Sequence, residues 1–304
     1  MSPLSFYIWD LETYPNIFVF NGKARGSNKV ETFEISTRKN QRNELLSWLS
    51  YLQNNNSTLV GFNSLGFDYP IIHELLNMPY TFDHVKAYQL CQTIIGSEQY
   101  GFTQLQLKER ILSQVDLSAV NHFNNKNKRT SLKSLQFAMR LQSVEDLPFP
   151  PGSNLTPEEM DTLISYGIHD VTSTEEFLEK CIHLIEMRKE LLDTGVLTGD
   201  VLNFSDVKIG VEYLIKKLGR NKCFQGNKPR QTFRESVEFK DIILPKISFR
   251  NEEFEAVLDW FKKQIVYVNG EERPKLETKL AGLDFVFGLG GVHASVENKK
   301  FESN

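Results

Sequence analysis

The chain has 304 residues, 40% of them hydrophobic, and a formal net charge of -4 at neutral pH. That length supports a sizeable core in one large domain with a smaller appendage, and the charge excludes a uniformly basic coat for nucleic acid. Cys91, Cys181 and Cys223 lie far apart with no C-x-x-C pair, which argues against a disulfide framework or a zinc knuckle and for reduced thiols.

Phe6 to Asp10 reads as a short buried strand, and "NIFVFNG" and "VETFEI" as two more, separated by the turn chemistry of "GKARGSN". Three consecutive strands predict an antiparallel meander. From about Arg42 to Gln53, Leu45, Leu46, Trp48, Leu49 and Leu52 recur at helical spacing. "TLVGF" is a further buried strand. It leads into "NSLGFDYPIIHELL", where Pro70 and the apolar face of Ile71, Ile72, Leu75 and Leu76 put Asp68 at a helix entrance. "ILSQVDL" predicts another strand, and "SLKSLQFAMRL" a helix with Leu132, Leu135, Phe137, Met139 and Leu141 mostly buried. Between them "NHFNNKNKRT" predicts an exposed loop of basic character. After the connector "DLPFPPGSNL", Thr156 and Glu159 form a capping box with Pro157 at the first helical position. The helical pattern runs on to Leu192, with Gly195 as its stop, and Gly167 is expected to bend it or divide it in two.

This order predicts a mixed sheet flanked by helices, in the α/β or α+β class. Beyond Val196 the pattern loosens, and between Lys208 and Arg250 the basic residues outnumber the acidic ones. Such a stretch is a separate module, an arm against nucleic acid, or a solvated surface. The expected division is residues 1–195 and a basic extension over 196–304. No segment nears the roughly 20 apolar residues of a membrane span, so the expected setting is cytoplasmic with no membrane partner.

Four acids carry the chemistry. Asp10 and Glu12 in "WDLET" are two apart on a strand and share a face. A lone D-x-E says little, since strands often end in acids. Asp68 in "NSLGFD" follows a strand at a helix start, where the dipole favours an anion, though an ordinary cap looks the same. Tyr166 and Asp170 in "YGIHDV" are four apart on a helix, and a phenol there can orient a water as well as fill a core. Together, in this order, they fit a site that holds two divalent cations roughly 4 Å apart for phosphodiester hydrolysis. Asp116 in "VDL" reads as a supporting or structural acid.

These segments resemble, in turn, the three motifs of the 3'-to-5' proofreading exonuclease superfamily marked by four acids, in its tyrosine-containing branch. The match covers about the first two-thirds of the chain. The resemblance implies a ribonuclease H-like fold and a metal-dependent exonuclease acting on a single-stranded or frayed 3' DNA end. It further implies that Asp10, Glu12, Asp68 and Asp170 hold two Mg2+ or Mn2+ ions and that Tyr166 orients the attacking water. Leu11 and Thr13 would approach the terminal nucleotide, while Asn63 and Phe67 would line the strand's path. His169 precedes Asp170 directly; the sister branch places its catalytic histidine several positions earlier, so Tyr166 keeps the role. Phe67, Phe102 and Phe123 are candidates to stack bases. The segment "FKDIILPKISFRNEEFEAVLDWFKK" with "FVFGLGGVHASVEN" resembles the stretch leading into the polymerase domain of phage-type DNA polymerases, which implies a polymerase domain or subunit as partner. The chain contains no polymerase motif of its own. An RNA exonuclease of the same fold and a non-catalytic docking module are the alternatives.

Overall fold

The computed structural model describes residues 5–96, 105–125, 127–231, 234–267, 273–280, 283–289 and the backbone of 291–294. The chain divides into two compact units, Met1–Cys223 and Phe224–Asn304.

The first unit is built on a five-stranded mixed sheet. A long first strand, β1 (Phe6–Tyr14), turns tightly into β2 (Ile17–Ala24), which pairs with β3 (Glu31–Ser36). Helix α1 (Arg42–Asn54) then returns the chain to β4 (Thr58–Gly61), parallel to β1. Two helices follow, α2 (Asp68–Asn77) and α3 (His84–Gly96), before β5 (Ser113–Asp116) pairs parallel to β4. The sheet order is β3-β2-β1-β4-β5, antiparallel on one side of β1 and parallel on the other. Helices cover both faces, the α/β arrangement expected from the sequence and consistent with the ribonuclease H-like fold that the resemblance implies. The centre of this sheet is β1, and the carboxyl end of a strand where the pairing sense changes is where open α/β sheets form clefts.

Alternation along β1 divides its side chains between two cores. Trp9 and Leu11 join Leu45, Leu49 and Leu52 of α1, Ile71, Ile72 and Leu75 of α2 and Cys91 of α3. Phe6 and Ile8 face the other way, onto Val171, Phe177, Leu178, Cys181 and Ile185. Those five belong to the last large helix, and between β5 and it lie two shorter ones, α4 (Leu117–Val120) and α5 (Leu132–Met139). The large helix, α6 (Pro157–Asp193), runs 37 residues behind the expected capping box, a length of about 55 Å. Asp10 and Glu12 have the parity of Phe6 and Ile8, so they face α6.

Several expectations are revised. β1 continues four residues past Asp10, because β2 pairs with it down to Tyr14↔Ile17. α6 is one continuous helix; Gly167 neither divides nor ends it. In α5 the buried residue is Gln136, while Phe137 is 78% exposed. That helix spans eight residues and ends at Arg140 in the left-handed conformation, so it covers too little of the core to bury the expected apolar set. α3 has no counterpart in the sequence reading, although Ala87, Cys91 and Ile94 form its buried stripe.

Residues 196–223 group with the first unit. Helices α7 (Asp206–Leu218) and α8 (Arg220–Cys223) follow a short turn at Val201–Asn203. Asn203 is tied to β5, accepting from the Asp116 N–H at 2.7 Å and donating to the Gln114 carbonyl at 2.9 Å. Arg188 of α6 is fully buried and donates to the Phe204 carbonyl (2.8 Å), the Val120 carbonyl (3.1 Å) and Asp206 (2.7 Å).

The second unit is a small α+β assembly. Short pairs β6 (Phe224–Gln225) with β7 (Lys228–Pro229), and β8 (Ser236–Glu238) with β9 (Ile265–Tyr267), accompany helices α9 (Phe239–Ile242) and α10 (Glu252–Lys262). Strands β10 (Leu276–Leu280), β11 (Leu283–Gly288) and β12 (Gly291–Ala294) form an antiparallel sheet. Val257 of α10 meets Leu280 and Phe287 in its core. Of "GLGGVH", Gly290 and the side chains of 291–294 lie outside the described residues.

Candidate metal centre and cleft

Asp10 and Glu12 point from the middle of β1 toward α6, and Asp170 points back from α6. Carboxylate oxygens of the three lie within 4.8 Å of one another. They open into a cleft of about 800 Å³, which Asp68, at the first turn of α2, also lines. So one strand, one helix interior and one helix entrance bring the four acids together, with Asp68 just outside the tight group of three.

Close approach of α6 to the sheet makes this convergence possible. A Cβ on Gly167 would fall 2.4 Å from Asn21 Nδ2 and 3.1 Å from Glu12 Cγ, so a side chain there would displace the Asn21 and Glu12 side chains or the helix itself. Glycine is disfavoured by about 1 kcal/mol in a helix interior, and here the close packing explains its presence. One turn beyond Asp170, Glu175 is held to Lys23 of β2 at 2.5 Å.

Electrostatics follow from crowding anions where water is scarce. Burial, then the charge of Asp170, pushes Asp10 well above the usual carboxylate range. Glu12 is raised in the same way by burial and by Asp10, Asp170 and Asp68. Burial and the Asp10 charge raise Asp68. Burial also raises Asp170, against which hydrogen bonds from Tyr166 and Gln136 favour its charged form. The Tyr166 phenol is pushed up by burial and by the neighbouring Asp170 and Glu12 charges, so it stays protonated at neutral pH. A second tyrosine near Glu12, Tyr14, is committed elsewhere: its hydroxyl donates to the Phe149 carbonyl at 2.7 Å.

Three clustered carboxylates, raised first by burial and, for Asp10 and Glu12, also by repulsion from their neighbours, with a fourth beside them, fit hard divalent cations. Mg2+ and Mn2+ prefer oxygen donors, and their charge would relieve that repulsion.

The cleft walls take up most of the other expected residues. Leu11, Asn63 and Phe67 line it. Thr13 does not; it pairs with the Cys91 thiol on α3. Phe123 lines the cleft while stacking on Phe177 at 6.2 Å, and Phe102 lies outside the described residues. Asp116 is a backbone hub. Its carboxylate accepts from the N–H groups of Asn63 (2.8 Å), Leu65 (3.1 Å) and Ser118 (2.9 Å). Burial raises it to about 6 even so. It thereby shapes the loop that delivers Asp68, a loop in which Asn63 adopts positive φ.

Sequence reasoning missed the far wall. Arg129, Ser131, Leu132 and Ser134, from the basic loop and the start of α5, line the same cleft as the acids. Gln136 donates to Asp170 at 3.0 Å. A basic loop ahead of a helix was visible, but nothing local told which side of the molecule it would cover.

Neither a protein-family model nor a curated protein matches the chain. Among solved structures it is similar to the family B DNA polymerase from the hyperthermophilic archaeon Pyrobaculum calidifontis, with a TM-score of 0.47 and 16% identity. That similarity covers 71% of this chain and 29% of the polymerase chain, so this chain spans under a third of that protein.

Proposed function

We propose that this chain is a metal-dependent 3'-to-5' exonuclease that removes nucleotides from DNA 3' ends, as part or partner of a DNA polymerase. The observation that carries the metal chemistry is the meeting of Asp10, Glu12 and Asp170 within 4.8 Å, with Asp68 on the same cleft. A domain that only bound DNA would gain nothing from buried anions facing phosphates. Strand polarity and the preference for DNA rest on the motif resemblance, as does the polymerase connection.

In this reading Asp10, Glu12 and Asp170 hold one divalent cation, and Asp68 with Asp10 holds the other. Bound there, the pair supplies an activated water and stabilises the charge on the departing 3' oxygen. Tyr166, held protonated, orients that water through its hydroxyl and is too weak an acid to serve as a base at neutral pH. Leu11, Asn63 and Phe67 guide an unpaired end into the cleft. A frayed or mismatched terminus is therefore preferred, since unpairing costs least where pairing is already lost.

The test is degradation of a 5'-labelled primer, paired or 3'-mismatched, with Mg2+, Mn2+ or EDTA, beside an RNA oligonucleotide of the same sequence. A metal-dependent ladder shortening from the 3' end, lost in Asp10→Ala/Glu12→Ala, is the expected result. Preferential degradation of the RNA would move the substrate to RNA. Binding of DNA with no shortening by the wild type would sink the catalytic reading in favour of a docking module.

A further inference from the structure

Gln136 is only 1% exposed, on a helix whose other described residues are half-buried or exposed. Its neighbours Leu135 and Met139 pack against the core beneath α6. Packing alone would favour a third apolar side chain at this position, because an amide out of water is costly unless it is hydrogen-bonded. The Gln136 bond runs to the acid cluster: Nε2 donates to Asp170 Oδ1 at 3.0 Å. An ionised carboxylate only accepts, which dictates that the amide nitrogen faces it. The Gln136 Oε1 is left buried without a partner, a cost accepted to keep that single bond.

Other groups near Asp170 do different work. His169 Nδ1 lies 3.6 Å from the same Oδ1, a long contact that favours the charged carboxylate, and its Nε2 is engaged with Ser143 at 3.0 Å. The Tyr166 hydroxyl meets Asp170 from one turn back on the same helix. Gln136 approaches from a different element, so it ties the carboxylate to a second part of the fold. Being neutral, it leaves the negative charge available to a cation, which an arginine or lysine at this place would neutralise.

We propose that Gln136 is a positioning residue that holds the Asp170 carboxylate in its cation-binding orientation toward Asp10 and Glu12; this rests on the metal-site reading above. Ser131, Leu132 and Ser134 of the same segment line the cleft.

The experiment is a Mn2+ titration of the full chain without DNA, read from the paramagnetic resonance signal of the free ion. Wild type, Asp170→Asn, Gln136→Met and Gln136→His are compared, each checked by thermal melting. Gln136→Met, similar in size and unable to donate, is expected to weaken Mn2+ binding about 10- to 100-fold, the usual cost of losing a partner behind a metal ligand. Gln136→His keeps a ring N–H donor at similar reach and recovers part of the loss, which a purely structural role would not produce. With saturating Mn2+ and single-stranded DNA, Gln136→Met is expected to lower kcat with KM unchanged. Should Gln136→Met unfold, Gln136→Leu carries the same expectation. Wild-type affinity in the folded variant, alongside weakened binding in Asp170→Asn, overturns the role of Gln136 and leaves the metal site standing. Equal Mn2+ binding by wild type and Asp170→Asn overturns both.

Discussion

Gly167 shows how much one missing side chain decides. The close approach it allows between α6 and β1 lets Asp170 reach the two acids of the strand. Gly167→Ala has opposing effects: a gain of up to about 1 kcal/mol in helix propensity, and an overpacking cost of roughly 1 to 3 kcal/mol or more. The clash wins at 2.4 Å, so the variant is expected to melt lower and to bind Mn2+ more weakly, as calorimetry and titration can show. A melting temperature at or above wild type would mean that the Asn21 and Glu12 side chains give way at little cost.

The acids make a prediction about pH. Asp10, Glu12, Asp68 and Asp170 are all raised in the fold. The folded state therefore binds more protons than the unfolded state, and stability falls as pH rises through the folded values. Asp116 follows the same sign, losing its contribution between its ordinary 3.8 and about 6. The metal-free protein is expected to be more stable at pH 5 than at pH 8. Added Mn2+ should raise the melting temperature more at pH 8, where the carboxylates are ionised. Equal metal stabilisation at both values would contradict a cluster held above the usual carboxylate range.

Among elements, the loop between β4 and α2 depends on an acid from the neighbouring strand. Asp116 takes three backbone N–H groups, two of them from that loop. Asp116→Ala leaves those donors unsatisfied, at about 1 to 3 kcal/mol each if no water reaches them. Hydrogen exchange at Asn63 and Leu65 should quicken, while exchange within α1 should change little. The short motif "NSLGFD" announced a carboxylate at a helix entrance; its support comes from more than 45 residues further along, which no local pattern encodes. α5 gives the same lesson in reverse. Its leucines and phenylalanine have helical spacing, yet the position that matters is a glutamine whose partner is on α6.

At the scale of the whole molecule, the boundary of the first unit lies past the loosening of the pattern at Val196. Asn203 and the carbonyl of Phe204 hold the ends of β5 and α6. A fragment of residues 1–223 is expected to unfold in one cooperative transition. Residues 1–195 alone would strand the buried Arg188 without two of its partners and melt well below, because an unpaired buried charge costs several kcal/mol. Coincident melting of the two fragments would show that 196–223 adds nothing to the unit.

Local chemistry was enough to read the strands of the first unit and its helices α1, α2, α5 and α6, the capping box at Thr156, and the alternation that points Asp10 and Glu12 to one face. These depend on neighbours within a few residues, where period and turn chemistry operate. Tertiary structure alone decided that Gly167 serves close packing, that Arg129 and Ser134 wall the cleft, that Thr13 turns to Cys91, and that Gln136 grips Asp170. Each of those is a meeting of segments distant in sequence, set by how helices and strands pack, and packing leaves no periodic mark on the residues that take part in it.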